Sequence, residues 1–419
     1  MIFKDIIGSL YKVFNEDAYL NITINNILKQ RKNDYTDHDK KIYVKVTSGV
    51  VENKLLLDYL LSELIKGQRV KPFIKNALRI GVYMISFMNT PNHYVVNEIV
   101  KVVKKEDYRA SSFVNAILRK YISDDIYNKG TEKINKMNKL ERLSILYSID
   151  INLVKLISSQ YDDVESILKP STDIYNTYRI NTLKTTVNDV IEVLTKEDII
   201  YSINGVTLKT KTSLINHNLF EEGKIVAQDA SSIKVAEVTS PKEGMHILDA
   251  CSAPGAKSMH LASIMNNKGK IISCDVHEHK LKLIEENARK LGVSIIETKL
   301  SDGTKATYQE EFDIIVLDVP CSGLGVINHK SDLKYKMTID KIKSINEIQN
   351  NIIENLCKYI KKNGFLVYST CTINKDENER LINKFLKKHS EFVKREEHII
   401  VQNFNTDMDG FYIAKLERI

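Results

Sequence analysis

The stretch HILDACSAPGAK, residues 246–257, decides the architecture. HILDA (246–250) reads as a buried strand, Pro254 and Gly255 break it in a tight turn, and a helix is expected from Lys257. The same grammar repeats downstream. KIISCD (270–275), SIIETK (294–299), FDIIVLD (312–318), FLVYST (365–370) and FYIAKLE (411–417) read as further strands. HEHKLKLIEENARKLG reads as a helix with Leu281, Ile284, Ala288 and Leu291 on one face and a stop at Gly292, and MTIDKIKSINEIQNNIIENLCKYIKKNG as another. Strands that are continuously apolar, rather than alternating, are buried on both faces. Residues 229–419 are therefore expected to form an α/β, doubly wound, mostly parallel sheet. Such sheets bind ligands at the carboxyl ends of their strands, near the reversal of strand order.

Upstream the grammar changes. Residues 1–125 read as an all-α bundle. Pro72 suits a first helical turn, and Ile74, Leu78, Val82 and Ile85 recur at helical spacing, as do Phe113, Ile117 and Tyr121. Residues 126–170, with the lysine-rich NKGTEKINKMNKLER, are expected to be a helical linker. In 171–228, TYRIN, VNDVIEVLTKE, DIIYSI and VTLK predict a small α+β subdomain.

Composition sets the class. At 419 residues the chain exceeds one ordinary core, and 43% hydrophobic with 27% charged residues is a soluble globular balance. No apolar run approaches the ~20 residues that cross a bilayer, and MIFKDIIGSLYKVF lacks the apolar core of an export signal. A cytoplasmic protein with no membrane partner is expected. Five cysteines without a C-x-x-C point to reduced thiols rather than a disulfide framework or zinc site, so no metal is expected. Residues 1–130 hold 16 Lys and 5 Arg against 9 Asp and 5 Glu, an excess that equals the +7 of the whole chain. A basic module joined to a neutral one points to a polyanion as partner of the first, although solvated lysine-rich helix surfaces give the same count.

Polar clusters fall at the strand ends. In Cys251-Ser252-Ala253-Pro254-Gly255-Ala256-Lys257 the small residues let a ligand approach the backbone, and the helix N-terminus that follows presents free N–H groups. Neither a P-loop nor a G-x-G-x-x-G is present. Asp275 ends the second strand, where doubly wound sheets place an acceptor for ribose hydroxyls, and Asp302 in SDG is placed to accept an adenine amino hydrogen. Each alone is also a common turn former. In series they indicate an adenosine-bearing ligand. The last two clusters are DVPCSG (318–323), with Asp318 and Cys321, and STCT (369–372), with Cys371.

DACSAPGAK, DVPCSGLG and VYSTCTINKDENE together resemble the RNA (cytosine-5) methyltransferases of the Sun/Fmu, or RsmB, type. The resemblance spans nearly the whole chain. The basic N-terminus with FVNAILRKY is similar to that family's NusB-like RNA-binding domain, YRINTLKTT and QDASS to its intermediate segment, and DGFYIAKLE to its closing strand. Ala256 stands where a second glycine is usual, and Tyr412 where phenylalanine is common. The resemblance implies a Rossmann-like class I methyltransferase domain at 229–419, with S-adenosylmethionine held by the 251–257 loop, Asp275, Asp302 and Asp318. It implies Cys371 as a nucleophile that adds to carbon 6 of cytosine, Cys321 as an aid to release, and Asp318 as partner of the N3/N4 edge. Lys257 reaches the same space. Cys357 is expected in a helix core, Cys274 in a strand, and His277 and His279 at the surface.

The expected substrate is 16S ribosomal RNA, free or in an early precursor particle, and a monomer is the expected state. Three alternatives stay open on sequence. One is a transfer-RNA cytosine-5 methyltransferase. Another is a non-catalytic RNA-binding or assembly factor on a methyltransferase fold. The third is Cys321 rather than Cys371 as nucleophile.

Overall fold

Pro72 opens a helix that runs to Phe87, and every residue from Asn76 to Met84 is buried. Burial all round makes this the axis of the N-terminal part. Helices Ile2–Asn15, Asp37–Glu52, Lys54–Ser62, Asn92–Glu106 and Tyr108–Ser123 pack about it. They contribute Ile6, Leu10, Val46, Val50, Leu57, Ile99 and Leu118 to one core. The one buried charge in that axis, Arg79, is met by a two-pronged contact with Asp58 at 2.8 and 2.7 Å.

This computed structural model describes residues 1–170, 175–402 and 408–419. The chain divides into two compact units: Met1–Lys169 with Ile327–Thr338, and Pro170–Val326 with Ile339–Ile419. Residues 126–169, read from sequence as a linker, form helices Ile126–Asn135, Lys139–Leu146, Ile151–Ser158 and Val164–Leu168 within the first unit. Ile134, Leu143, Leu153 and Val154, fully buried, supply the apolar faces that their lysine-rich composition conceals. A strap, Ile327–Thr338, joins that unit from far along the chain. Asp332 Oδ2 accepts from Leu20 N at 3.3 Å at the start of helix Leu20–Gln30, and Tyr335 meets Phe14 edge-on at 5.8 Å.

The second unit holds two sheets. The smaller is antiparallel throughout, made of β1 (Asn176–Ile180), β2 (Tyr201–Asn204), β3 (Thr207–Thr210) and β4 (Ile225–Ala227), in the order β2-β3-β1-β4. Thr186 and Asp189 cap helix Val187–Lys196 reciprocally, and its Val190 and Leu194 pack with Tyr178 and Leu208. Residues 171–174, the start of the expected subdomain, lie outside the described residues.

The larger sheet comprises β5 (His246–Asp249), β6 (Lys270–Asp275), β7 (Ile296–Leu300), β8 (Phe312–Asp318), β9 (Ile360–Thr370), β10 (Phe392–Ile400) and β11 (Phe411–Arg418). Its order is β10-β11-β9-β8-β5-β6-β7, with β11 antiparallel to both neighbours and the other pairs parallel. Strand order reverses at β5, with β6 and β7 following it on one side and β8 and β9 on the other, so the β5/β8 boundary is the switch point. Alternate residues face opposite sides. Ile315 and Leu317 of β8 pack toward helices Ile339–Leu356 and Glu379–Lys388, whereas Ile314 and Val316 pack toward Ala230–Thr239, Ala256–Ile264 and Glu278–Leu291. Two-sided burial is the reason the strands read as continuous apolar runs.

Two strands escape the sequence reading. β10, in FVKREEHII, is an edge strand with five charged or histidine positions and no apolar run, and β4 is only three residues long. β9 begins at Ile360, five residues before the expected start, because helix Ile339–Leu356 ends early and a short 3-10 turn (Cys357–Tyr359) leads into the strand.

Candidate functional site

The parallel register sets the site. Asp318 of β8 lies opposite Ser369 of β9, and Asp249 of β5 lies opposite Val316 of β8 and Ser273 of β6. The carboxyl ends of β5, β8 and β9 are therefore level, and the loops leaving them meet. Asp318 Oδ1 accepts from the Ser369 hydroxyl at 2.8 Å, and its Oδ2 accepts from Lys257 Nζ at 2.6 Å. This ion pair bridges the switch point, with side chains 14% (Lys257) and 27% (Asp318) exposed. Burial works to lower the pKa of Lys257, but the Asp318 carboxylate outweighs it and the ammonium is held above its ordinary value.

Three residues beyond Asp318, Cys321 Sγ stands 3.2 Å from Cys371 Sγ. All five cysteines are free thiols, and Cys251, Cys321 and Cys371 are partly exposed, whereas Cys274 and Cys357 are buried. The hydrogen bond to Cys371, then burial, then the charges of Cys371 and Glu377 push the Cys321 thiol well above the ordinary thiol range. The lysine at 257 is attracted electrostatically to Cys371, an interaction that favours thiolate there.

Close packing brings the loops together. Gly325 N donates to Cys371 O at 3.1 Å, and Gly410 N donates to Gly325 O. A Cβ on Gly325 would fall 1.9 Å from Gly410 O and 2.9 Å from Cys371 O, so only glycine lets these backbones approach.

Residues 236–417 match the family model described as 16S rRNA methyltransferase RsmB/F, and residues 6–123 match the NusB family. A probable ribosomal RNA small subunit methyltransferase B of Bacillus subtilis (strain 168) is 33% identical over 408 residues, spanning 93% of this chain and 89% of its own. The chain belongs to the RsmB/F methyltransferase family. A relative of the same description from Synechocystis is 29% identical, over 91% of this chain and 88% of its own. The crystal structure of PH0851 superposes with a TM-score of 0.79 at 25% identity, over 99% of this chain and 97% of that one. Like other RsmB/F proteins, this chain is an enzyme that uses S-adenosylmethionine. The all-α, NusB-like beginning and the Rossmann-like, mostly parallel sheet stand as expected.

The ends of β5, β6 and β7 fit that cofactor. Gly255 caps helix Ala256–Ile264 at φ 99°, and a Cβ there would press on Met259 Cε at 3.1 Å and Ile284 Cγ2 at 3.3 Å. Glycine thus lets the turn pack closely on these two side chains where it enters the helix, whose first N–H groups lack intrahelical partners. Asn287 Nδ2 donates to Pro254 O at 2.9 Å and fixes the loop from behind. The seven loop residues do not all face the same way. Ser252 turns inward, its N–H and hydroxyl both donating to Cys274 O, and burial pushes the Cys251 thiol up. Asp275 is almost buried and accepts from His277 N at 3.0 Å. Asp302 accepts from Thr304 N and its hydroxyl with Oδ1, which holds its carboxyl below the ordinary range.

Several site residues went unread in the sequence. Val276 and Leu300, 54% and 56% exposed, stand immediately after Asp275 and before Ser301-Asp302 and offer bare apolar surface for a planar base. Asp249, fully buried, accepts from the Ser258 hydroxyl at 2.5 Å and has its pKa raised to about 6, chiefly by burial. Glu377, inside the quoted KDENE run, is fully buried beneath the cysteine loops. An acid that breaks an apolar strand, as Asp249 does, was the available signal. Nothing in spacing marks Glu377. Among the described residues no group of three or more His, Cys, Asp or Glu is placed to hold a metal ion, and no helix is long and apolar enough to cross a membrane.

Proposed function

We propose that this enzyme places a methyl group on carbon 5 of a cytidine in 16S ribosomal RNA, free or within an early precursor particle in the cytoplasm, with Cys371 as its nucleophile. Carbon 5 of cytosine is a poor nucleophile until a thiolate adds to carbon 6 and turns it into an enamine carbon. S-adenosylmethionine, when bound, supplies an electrophilic methyl group on a sulfonium. Cys371 forms the carbon–sulfur bond at carbon 6 with its own electron pair, and the π pair of the carbon 5–carbon 6 double bond is displaced onto carbon 5. After methyl transfer the carbon 5 proton leaves to a base, the carbon–sulfur bond breaks, and the thiolate is regenerated. Cys321 assists that release. Asp318, oriented by Ser369 and Lys257, accepts from the cytosine amino edge and places the ring over the thiols.

The observation that carries this reading is the pair of thiols 3.2 Å apart, level with Asp318 at the ends of adjacent parallel strands. Electrostatics supports Cys371 over Cys321 as nucleophile: the hydrogen bond to Cys371 and burial push the Cys321 thiol up, while the Lys257 ammonium attracts charge on Cys371. The base has to be turned out of its helix to arrive there, and the positive excess of residues 1–130 holds flanking RNA through phosphates.

Labelled methyl transfer to undermethylated 16S RNA tests the proposal. Wild-type protein is expected to modify a cytidine, Cys371→Ala to form no covalent protein–RNA complex, and Cys321→Ala to accumulate one. Normal methylation by Cys371→Ser would end it. RNA affinity is expected to fall steeply between 50 and 200 mM salt, by about 10³-fold or more if six or more phosphates are contacted.

A further inference from the structure

Glu377 sits in the loop after β9, just before helix Glu379–Lys388, and has no exposed surface. Its carboxylate accepts four hydrogen bonds. Oε2 takes Ser322 N at 2.8 Å and Gln349 Nε2 at 3.0 Å, and Oε1 takes the Ser322 hydroxyl at 2.5 Å and Asn374 Nδ2 at 3.0 Å. None of these partners carries a charge. A buried carboxylate served by neutral donors alone is costly to keep, and a well-packed apolar side chain would stabilise the fold as well or better. Its presence here calls for a use.

The bonds converge on the cysteines. Gln349 Nε2 also donates to Pro320 O at 2.9 Å, so Glu377 and Gln349 together grip the residues on both sides of Cys321. Asn378, the next residue, does the same for Cys371, accepting from the Thr370 hydroxyl at 2.6 Å and donating to Thr372 O at 2.8 Å. The Ser322 and Thr372 hydroxyls, 2.7 Å apart, join the two grips. Glu377 thus touches the residue next to Cys321 directly and reaches Thr372, beside Cys371, only through intermediaries: the Ser322 hydroxyl, and Asn374, whose side chain donates to Glu377 and whose N–H donates to the Thr372 hydroxyl at 3.2 Å.

We propose that Glu377 is a positioning residue that fixes the order of ionisation in the thiol pair, keeping the proton on Cys321 so that Cys321 donates to a Cys371 thiolate. This rests on the reading of Cys371 as nucleophile. The other titratable groups around the pair do not replace it. Asp318 is neutralised by Lys257, which favours charge on Cys371, and buried Tyr368 spends its hydroxyl on Glu377 O at 2.7 Å. The hydrogen bond to Cys371 and burial push the Cys321 thiol up, and the charge of Glu377 adds to them in the same direction.

Iodoacetamide labelling of the full chain across pH, with each cysteine quantified by peptide mass spectrometry, tests this without any methylation. In wild type Cys371 is expected to label first and Cys321 only at much higher pH. Glu377→Gln is expected to raise the Cys321-to-Cys371 labelling ratio at pH 7 by about tenfold, which is one unit of thiol pKa. Glu377→Asp, which keeps the charge, is expected to stay near wild type. An unchanged ratio in Glu377→Gln overturns the proposal. Should that variant not fold, Cys371→Ala decides. Its lone Cys321 must titrate well above the ordinary thiol value of about 8.5, and a value at or below this overturns the proposal equally. If wild-type Cys321 labels before Cys371, it is the nucleophile reading that fails, whatever Glu377 does.

Discussion

Replacing Asp318 by asparagine separates the charge at the switch point from its shape. The amide keeps the volume and can still accept from Ser369, but Lys257 loses the carboxylate that stands 2.6 Å from its ammonium. At an effective dielectric near 20 the gross attraction at that separation is about 6 kcal/mol, most of it offset by the desolvation of both groups. Removing one member of a fully buried pair costs about 3–5 kcal/mol. Here Lys257 is 14% and Asp318 27% exposed, so water screens what is left, and the net loss expected is about 2 kcal/mol.

The pH dependence has a definite sign. In the wild type the folded-state pKa of Lys257 is raised, so its stabilisation is fully present below the unfolded lysine value of about 10.4 and fades as pH climbs through the folded value. In Asp318→Asn the burial effect is no longer outweighed by that carboxylate. The folded ammonium is then disfavoured at neutral pH, and the penalty is relieved as it deprotonates. The deficit is therefore expected to be largest near pH 7 and to shrink toward pH 10. Urea unfolding of the full chain measures it, the relevant transition being the one that S-adenosylmethionine stabilises. Equal stability at pH 7, or a deficit that widens between pH 7 and 10, would refute the argument. Methyl transfer by the same variant is expected to fall by about 10²-fold or more, the range in which a positioned acid–base group acts.

Gly255→Ala is expected to cost about 1–3 kcal/mol, the range for a strained left-handed residue, and to weaken S-adenosylmethionine binding about tenfold in calorimetric titration, because φ 99° and the 3.1 Å approach to Met259 both resist a Cβ. Asp249→Asn tests the buried carboxylate. Its folded pKa of about 6 lies above the unfolded value of about 3.9, so the wild type bears a penalty that is absent below pH 4 and complete above pH 6. Between those limits the stability difference is expected to move in the variant's favour by up to about 3 kcal/mol, and a flat difference in paired unfolding curves would contradict it. Iodoacetamide is expected to label Cys371 faster than the buried Cys357, and equal rates in the folded protein would count against an activated thiol.

The sheet was legible because two-sided burial writes itself as unbroken apolar runs in LDAC, IISCD and DIIVLD, each ending at a polar or thiol-bearing position. β10 was not legible, since an edge strand with one partner can carry KREEH on its open positions. The helices after residue 125 were expected, but composition hid that they pack into the first unit rather than serve as a linker. Four or five apolar residues suffice to bury one face of a short helix, and the lysines between them dominate a count. The strap at 327–338 was invisible in principle, because Asp332 and Tyr335 find partners at Leu20 and Phe14 through the fold, not through any local period. At the site, the cysteines and acids showed themselves by standing at strand ends. Glu377 did not, because what distinguishes it is convergence. Ser322, Gln349 and Asn374 come from three separate segments, and no spacing along the chain foretells their meeting.

Parallel pairing explains why the two thiols can cooperate at all. Cys321 and Cys371 are fifty residues apart in the chain, and nothing local holds them together. The β8/β9 register does so, by setting Val316 against Val367, Leu317 against Tyr368 and Asp318 against Ser369. A slip of one residue would reverse the facing of every side chain in one strand, exposing Ile315 and Leu317 to the wrong layer and carrying the thiols apart by about 3 Å. The burial of Leu366 and Tyr368 on one face and Val367 on the other forbids that slip. The packing that excludes alternative registers is thus the same packing that sets the distance between the sulfurs, so core substitutions at Leu317 or Val367 act on the site through the register they fix.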